Sequence, residues 1–329
     1  MPKIFISTFP YSRVDKAPLE ALVATGWDII TNPLGRKLKP EELAELARDV
    51  DGLIAGTENL EPLIHASSNL KIISRVGIGL DSVPLELCRQ KGITVTYTPD
   101  AVSMAVVELT IGLMVSLTRQ VVTADRQIRN GIWTRPYGKR IEESTIGIIG
   151  LGRIGGKVAE LLSVFSPVKV LVYDIKNKSE EIQKLKSRGL NIEVASLDQV
   201  CRQSDIISIH VPFSKLSRYM IDEKVFEIMK PTAYLINTAR GGIVQEEHLY
   251  NAIKNKKIAG AAIDVFEEEP YKGPLKELED IILTQHMGSC SFDCRLAMEM
   301  QAAEDTIRFF NGAPLKNQVP EEEYEYQVE

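Results

Sequence analysis

The chain has 329 residues, 44% of them hydrophobic, and a formal net charge of −6. That length holds two domains with full cores, and the charge offers no basic surface for nucleic acid or a membrane. No apolar stretch is expected to reach the length of a membrane span, and the start, MPKIFIST, reads as a strand and not as a signal peptide.

Residues 1–99 read as an α/β unit of their own. Strands are expected at 3–7, 28–31, 52–55, 71–75 and 94–96, with helices at 17–24, 40–49 and 84–91 between them. Alternation of strand and helix implies a parallel sheet. The turn VGIGLD, 76–81, follows a strand, so its backbone N–H groups sit at the carboxyl edge where open α/β sheets bind ligands; spacing alone leaves a plain glycine-rich crossover equally open.

From 99 to 131 apolar residues recur at helical spacing: Val102, Ala105, Val106, Leu109, Leu113, Leu117 and Val121. Ile111, Met114 and Val115 widen that face, so the helix is expected to be buried by another domain or subunit and to bridge the domains. At 145 a second α/β unit begins. Its first strand, IGII, runs into Gly150-Leu151-Gly152-Arg153-Ile154-Gly155, which fits G-x-G-x-x-G, and a helical pattern follows. A second strand, 169–173, closes on Asp174. Gly150 permits the tight turn, Gly152 lets a pyrophosphate approach the backbone, Gly155 lets helix and strand pack closely, and Asp174 can accept from ribose hydroxyls. A lone glycine motif is weak evidence; strand, motif, helix, strand and acid in that order indicate a dinucleotide site.

Later strands are expected at 206–211, 233–237, 258–264 and 281–283, and helices at 179–188, 222–229 and 245–254. A final helix, 291–310, carries Leu296, Met300, Ala303, Ile307 and Phe310 on one face and should return the chain to the first domain. The tail EEEYEYQVE holds five glutamates and reads as a solvated, frayed terminus. Cys88, Cys201, Cys290 and Cys294 form no disulfide framework, so a reducing cytoplasm is expected.

Chemistry on a nicotinamide needs a proton-transfer group and a cation that orients the substrate. Of the four histidines, His65 and His248 lie in helical segments and read as ordinary. His210 ends a strand at the ligand edge, where a structural or cofactor-wall role outweighs catalysis. His286, in the loop LTQHMGS after a strand, is the candidate acid/base. Arg240, between a strand end and two glycines, is the candidate cation. Asp264, Glu267, Glu268 and Glu269 form an acidic run of the kind that is usually solvated surface. His286, Cys290 and Cys294 have i, i+4, i+8 spacing, but collinear side chains about 12 Å apart cannot share one ion, so no metal is expected.

The segments SRVGIGLDSV, AVVELTIGLM, GIIGLGRIGG, NTARGGIV, AGAAIDVFEEEP and LTQHMGS, in this order, resemble the D-isomer-specific 2-hydroxyacid dehydrogenases, and among them the 3-phosphoglycerate dehydrogenases. The resemblance covers 52–312. It implies two Rossmann-like or flavodoxin-like parallel-sheet α/β domains, an NAD domain at 100–288 inserted into a substrate domain of 1–99 and 289–329, and a dimer formed through the long helix. By resemblance Arg240 binds the substrate's carboxylate and carbonyl oxygen, Glu269 pairs with the acid/base His286, and the Ile78 and Gly79 N–H groups hold the carboxylate. Gly150 to Gly155, Asp174, His210, Val211, Pro212, Ser217, Thr238, Ala239, Arg240, Asp264, His286 and Gly288 are the implied cofactor contacts.

A phosphorylated three-carbon acid is the leading expected substrate, with hydroxypyruvate, glyoxylate or another 2-oxo acid as the alternative. Gly56-Thr57 stands where phosphoglycerate dehydrogenases usually carry Arg-Ser, so Arg75, Lys71, Arg135, Lys139 and Arg140 become the candidate cations, with plain surface solvation equally open. Ile78 stands where a phosphite dehydrogenase would carry lysine. The chain is too short for a carboxy-terminal regulatory domain, so serine feedback is not expected. A non-enzymatic NAD sensor of the corepressor kind shares this fold and is the rival class.

Overall fold

A computed structural model describes residues 1–165 and 168–327. The chain divides into two compact units, Met1–Val102 with Ser289–Glu329, and Ser103–Gly288. The second is thus an insertion in the first.

The first unit is built on β1 (Lys3–Ile6), β2 (Asp28–Thr31), β3 (Gly52–Ala55), β4 (Ile72–Arg75) and β5 (Thr94–Thr96). They form a sheet in the order β2-β1-β3-β4-β5, every pair parallel. β3 and β4 are buried at every residue, as continuous apolar runs under helices should be, whereas edge strand β2 is exposed at both ends. A short helix at Glu61–Ala66, started by Pro62, completes the alternation.

The helix Phe292–Phe310 belongs to this unit, but its expected face is corrected. Cys294, Met298, Ala302 and Ala303 are buried, together with Glu299, Asp305 and Thr306; Leu296, Met300, Ile307 and Phe310 are only partly covered. The polar members are buried because each has partners. Glu299 takes Arg295 Nε at 2.6 Å and the Ser12 N–H at 2.8 Å, and Thr306 Oγ1 donates to Ser74 Oγ at 2.8 Å. A frayed tail is also corrected. Glu321–Tyr326 is a helix, Val319 is buried and donates its N–H to Val95 at 3.0 Å, and the Arg89 guanidinium lies 4.2 Å from the centre of the Tyr324 ring.

The second unit contains β6 (Thr145–Ile149), β7 (Lys169–Tyr173), β8 (Asn191–Val194), β9 (Ile206–Ile209), β10 (Tyr234–Asn237), β11 (Gly260–Ile263) and β12 (Ile281–Leu283). Their order is β12-β11-β10-β9-β6-β7-β8, again all parallel. The chain leaves β6 toward β7 and β8, then returns to its other side with β9. The switch point therefore lies between the carboxyl ends of β6 and β9, where such sheets bind ligands.

The pattern through 99–131 is two helices, Pro99–Thr118 and Val121–Arg129, parted by Gln120 in the left-handed region at φ 52°. The expectation about membrane spans is also corrected. Pro99–Thr118 is long and apolar enough to cross one, with a mean hydropathy of 1.8. Its Val107, Leu113, Met114 and Leu117 instead pack into the core formed with β6 and β7.

Candidate active site

The first cluster gathers at the ends of β6, β7 and β9. Gly150 has a φ of +95°, and a Cβ there would press on the His210 carbonyl and Val211. One at Gly155 would collide with the Gly150 carbonyl, whereas one at Gly152 would meet nothing within 4 Å. The helix Arg153–Leu162 starts at Gly152 without a side-chain cap, and a helix start of this kind presents N–H groups and a positive dipole end to an anion. Leu151 is buried; Arg153 is exposed and Ile154 half-buried beside the open space. Asp174 accepts the Leu151 N–H through Oδ2 at 2.7 Å and the Lys176 N–H through Oδ1 at 2.8 Å. A cradle with room at Gly152, an uncapped helix start and a carboxylate at the next strand end fits a dinucleotide.

His210 Nε2 lies 2.8 Å from Ser208 Oγ, and burial pushes its pKa down to about 3, so the ring is neutral. Val211 is half-buried and Pro212 exposed. Ser217 is buried, donates to the Pro212 carbonyl at 2.6 Å and accepts the Ser214 N–H at 2.8 Å, so its hydroxyl closes that loop.

The second cluster sits at the ends of β10, β11 and β12. Asn237 organises the first turn: Oδ1 accepts the Ala239 N–H at 3.0 Å and Nδ2 donates to the Arg240 carbonyl at 2.8 Å. Thr238 Oγ1 meets Thr110 Oγ1 at 2.9 Å, and Arg240 Nη1 donates to the Ala239 carbonyl at 2.7 Å. A Cβ at Gly241 would collide with the Phe266 carbonyl, so the Arg240 turn packs directly on the loop that carries Glu269.

Glu269 reaches His286 Nδ1 with both oxygens, at 2.8 and 3.0 Å, and also accepts the Phe266 N–H at 3.2 Å. Both side chains are about one-third exposed or less. Among the described residues His286 Nε2 has no partner. His286 holds a left-handed backbone at φ 51°, which histidine tolerates better than most residues.

The acidic run is not plain solvated surface. Asp264 is 1% exposed. It accepts Thr284 Oγ1 at 2.6 Å, the Met287 N–H at 2.9 Å and the Gly288 N–H at 2.9 Å, while its carbonyl accepts the His286 N–H at 2.7 Å. Asp264 is thus the anchor of the His286 loop. Glu267 accepts Tyr219 OH at 2.9 Å, and burial, then the Glu267 and Glu269 charges, raise the Glu246 carboxyl. His248 Nδ1 accepts the Glu223 N–H at 3.0 Å, and His65 lies beside Glu61 on the surface. Among the described residues no cluster of histidines, cysteines and acids has metal-site grouping.

Arg75, Ile78 and Gly79 belong to the first unit. Arg75 is buried, with its guanidinium folded onto the Val76 carbonyl. The turn after β4 is held by Thr98, whose Oγ1 accepts the Gly77 N–H at 2.8 Å and whose N–H donates to the Gly77 carbonyl at 3.0 Å. Among the described residues the Ile78 and Gly79 N–H groups donate to no acceptor, unusual for half-buried backbone. At the neighbouring strand end, Glu58 is 2% exposed and accepts Ser7 Oγ at 3.5 Å; a Cβ on Gly56 would press on its carboxylate. Lys71 is paired with Asp51, Lys139 with Asp205 and Arg140 with Glu142.

Residues 111–288 match the family described as D-isomer specific 2-hydroxyacid dehydrogenase, NAD binding domain. The chain is 40% identical to a glyoxylate reductase of Thermofilum pendens, over 83% of this chain and 82% of that one. It is 36% identical to a D-3-phosphoglycerate dehydrogenase of Methanocaldococcus jannaschii, over 86% of this chain but 54% of that one. The D-lactate dehydrogenase of Aquifex aeolicus, solved with NAD and lactic acid, superposes with a TM-score of 0.82 at 25% identity, covering 94% of this chain and 95% of its own.

Proposed function

The chain belongs to the D-isomer specific 2-hydroxyacid dehydrogenases, NAD-dependent oxidoreductases, and we propose that it reduces a small unphosphorylated 2-oxo acid, glyoxylate or hydroxypyruvate, to the D-2-hydroxy acid. The observation that carries the substrate class is Glu58. Where phosphoglycerate dehydrogenases are expected to offer an arginine, this chain has Gly56 with a buried carboxylate folded over it, which repels a phosphate. The pairing of Lys71, Lys139 and Arg140 with acids, and the burial of Arg75, support the same reading. The glyoxylate reductase relative supports it as well.

Gly150 to Gly155 would hold the pyrophosphate of NAD, Asp174 its adenosine ribose, and residues 210–217 and 238–240 the remainder. When bound, it supplies the hydride that reduces the carbonyl carbon. The chain's own residues supply everything else. In the first unit the Ile78 and Gly79 N–H groups bind the carboxylate. Within the second unit, Arg240 polarises the carbonyl oxygen and His286 Nε2 delivers the proton. Glu269 holds the ring by Nδ1 and so aims Nε2.

With NADH, glyoxylate or hydroxypyruvate should exceed phosphohydroxypyruvate in kcat/KM by roughly tenfold or more, the equivalent of about 1.4 kcal/mol. NADPH should be the poorer cofactor, because Asp174 faces its 2′-phosphate as like charge. A preference for phosphohydroxypyruvate would overturn the substrate class, and a preference for NADPH the cofactor assignment.

The enzyme is a two-fold dimer of the reducing cytoplasm, in which its four free cysteines persist as thiols. Met104, Val121, Ile128, Ile132 and Trp133 leave the long helix and the segment after it with exposed apolar surface, which supports a self-complementary interface. Light scattering should give twice the chain's 36.7 kDa; a stable monomer at micromolar concentration would contradict it.

A further inference from the structure

The turn with free N–H groups is held from its far side by a residue remote in sequence. Gln327 Nε2 donates to the Leu80 carbonyl at 2.8 Å and to the Val83 carbonyl at 2.5 Å, while its Oε1 accepts the Leu85 N–H at 2.7 Å. Leu85 opens the helix Leu85–Gln90, whose preceding residue, Pro84, has no polar side chain to cap it. Gln327 supplies that cap from outside. Both ends of its amide are committed, so the donor and acceptor assignment is self-consistent.

Gln327 is delivered there by a docked segment. The Tyr97 N–H donates to Asn317 at 3.1 Å and the Val319 N–H to Val95 at 3.0 Å, which extends the sheet edge at β5. The helix Glu321–Tyr326 then packs through Tyr324 on the core of the first unit, and Arg89 pairs with Glu321. Thr98 fixes the entry to the turn and Gln327 its exit. Between the two fixed limbs lie Ile78 and Gly79.

We propose that Gln327 is a positioning residue for substrate binding: its amide locks Leu80 to Leu85 and thereby keeps the Ile78 and Gly79 N–H groups in register for a carboxylate. The inference rests on the carboxylate role given to that turn above, but the clamp itself can be read separately. It acts on binding of the oxo acid. The cofactor cradle and proton transfer belong to residues of the other unit.

Gln327→Met keeps length and packing while deleting all three hydrogen bonds. It should raise KM for the oxo acid roughly tenfold, with kcat within about twofold and Tm and NADH affinity near wild type. Gln327→Glu keeps an acceptor for Leu85 but loses both donations, and should fall between wild type and Gln327→Met. Hydrogen exchange reads the clamp without any substrate: residues 78–85 should exchange faster in Gln327→Met while β5 and Val319 keep their protection. Unchanged exchange would overturn the clamp. Faster exchange with an unchanged KM would overturn its role in binding, and so would a parallel loss of kcat and Tm, which marks general destabilisation. If the wild type reduced no 2-oxo acid, the functional reading would fail while the exchange result still judged the clamp.

Discussion

His286→Ala is expected to lose roughly 10²–10⁴ in kcat for 2-oxo acid reduction while NADH binding persists. The imidazole is held by two contacts from Glu269 to Nδ1 and, among the described residues, Nε2 has no partner, whereas the glycine loop is built on a different set of strand ends. Reduction takes up a proton and uses the imidazolium, so its rate should fall as pH rises. Oxidation of the 2-hydroxy acid uses the neutral ring and should climb over the same range. Glu269→Gln preserves shape but replaces the carboxylate that grips Nδ1 through both oxygens, so kcat should fall while NADH binding persists. His210 stays out of these profiles: burial holds it near 3, so it remains neutral throughout. Near-normal turnover by His286→Ala, or an unchanged kcat for Glu269→Gln, would refute the assignment.

Asp264→Ala should be almost as damaging, and for a different reason. The carboxylate is 1% exposed and gathers Thr284, Met287 and Gly288 onto itself. Its removal leaves the Gly288 N–H buried without an acceptor and cuts the His286 loop loose. A destabilisation of about 2–4 kcal/mol follows from the lost charge-assisted bonds and the orphaned donor. A loop free to shift by an ångström costs on the order of 10²-fold in kcat. Denaturant unfolding and steady-state kinetics on the same preparation check both. Asp264→Ala with wild-type stability and turnover would show that the loop is held by something else.

Much of the cofactor half is legible because its signals are local. β6 is an apolar strand that runs into the glycine motif, and β7 ends on Asp174, so sequence order and spatial order coincide. β8 escapes notice because it is an edge strand with only Ile192 buried, so no apolar run marks it. The next helix, Leu197–Gln203, is announced only by a capping box between Ser196 and Gln199. The face of Phe292–Phe310 misleads for a related reason: hydrophobicity selects Leu296 and Met300, but hydrogen bonds from outside the helix, Ser12 to Glu299 and Lys316 to Asp305, allow those acids inside. Glutamates dominate the composition of the tail, whereas its placement depends on Tyr324, Val319 and Gln327. Asn237, Asp264 and Gln327 share one property. Each works by hydrogen bonds to distant or neighbouring backbone, and no spacing rule records that.

Asp174 carries a consequence for any change of cofactor. One oxygen holds the Leu151 N–H inside the glycine loop and the other holds the Lys176 N–H. The group proposed to discriminate between the two dinucleotides is therefore also a tether of the glycine loop. A lineage or an engineer that removed the negative charge to admit a 2′-phosphate would slacken the glycine loop in the same step. Selectivity and loop order are thus inherited together. A new tether for Leu151 would have to appear before the exchange brought any advantage.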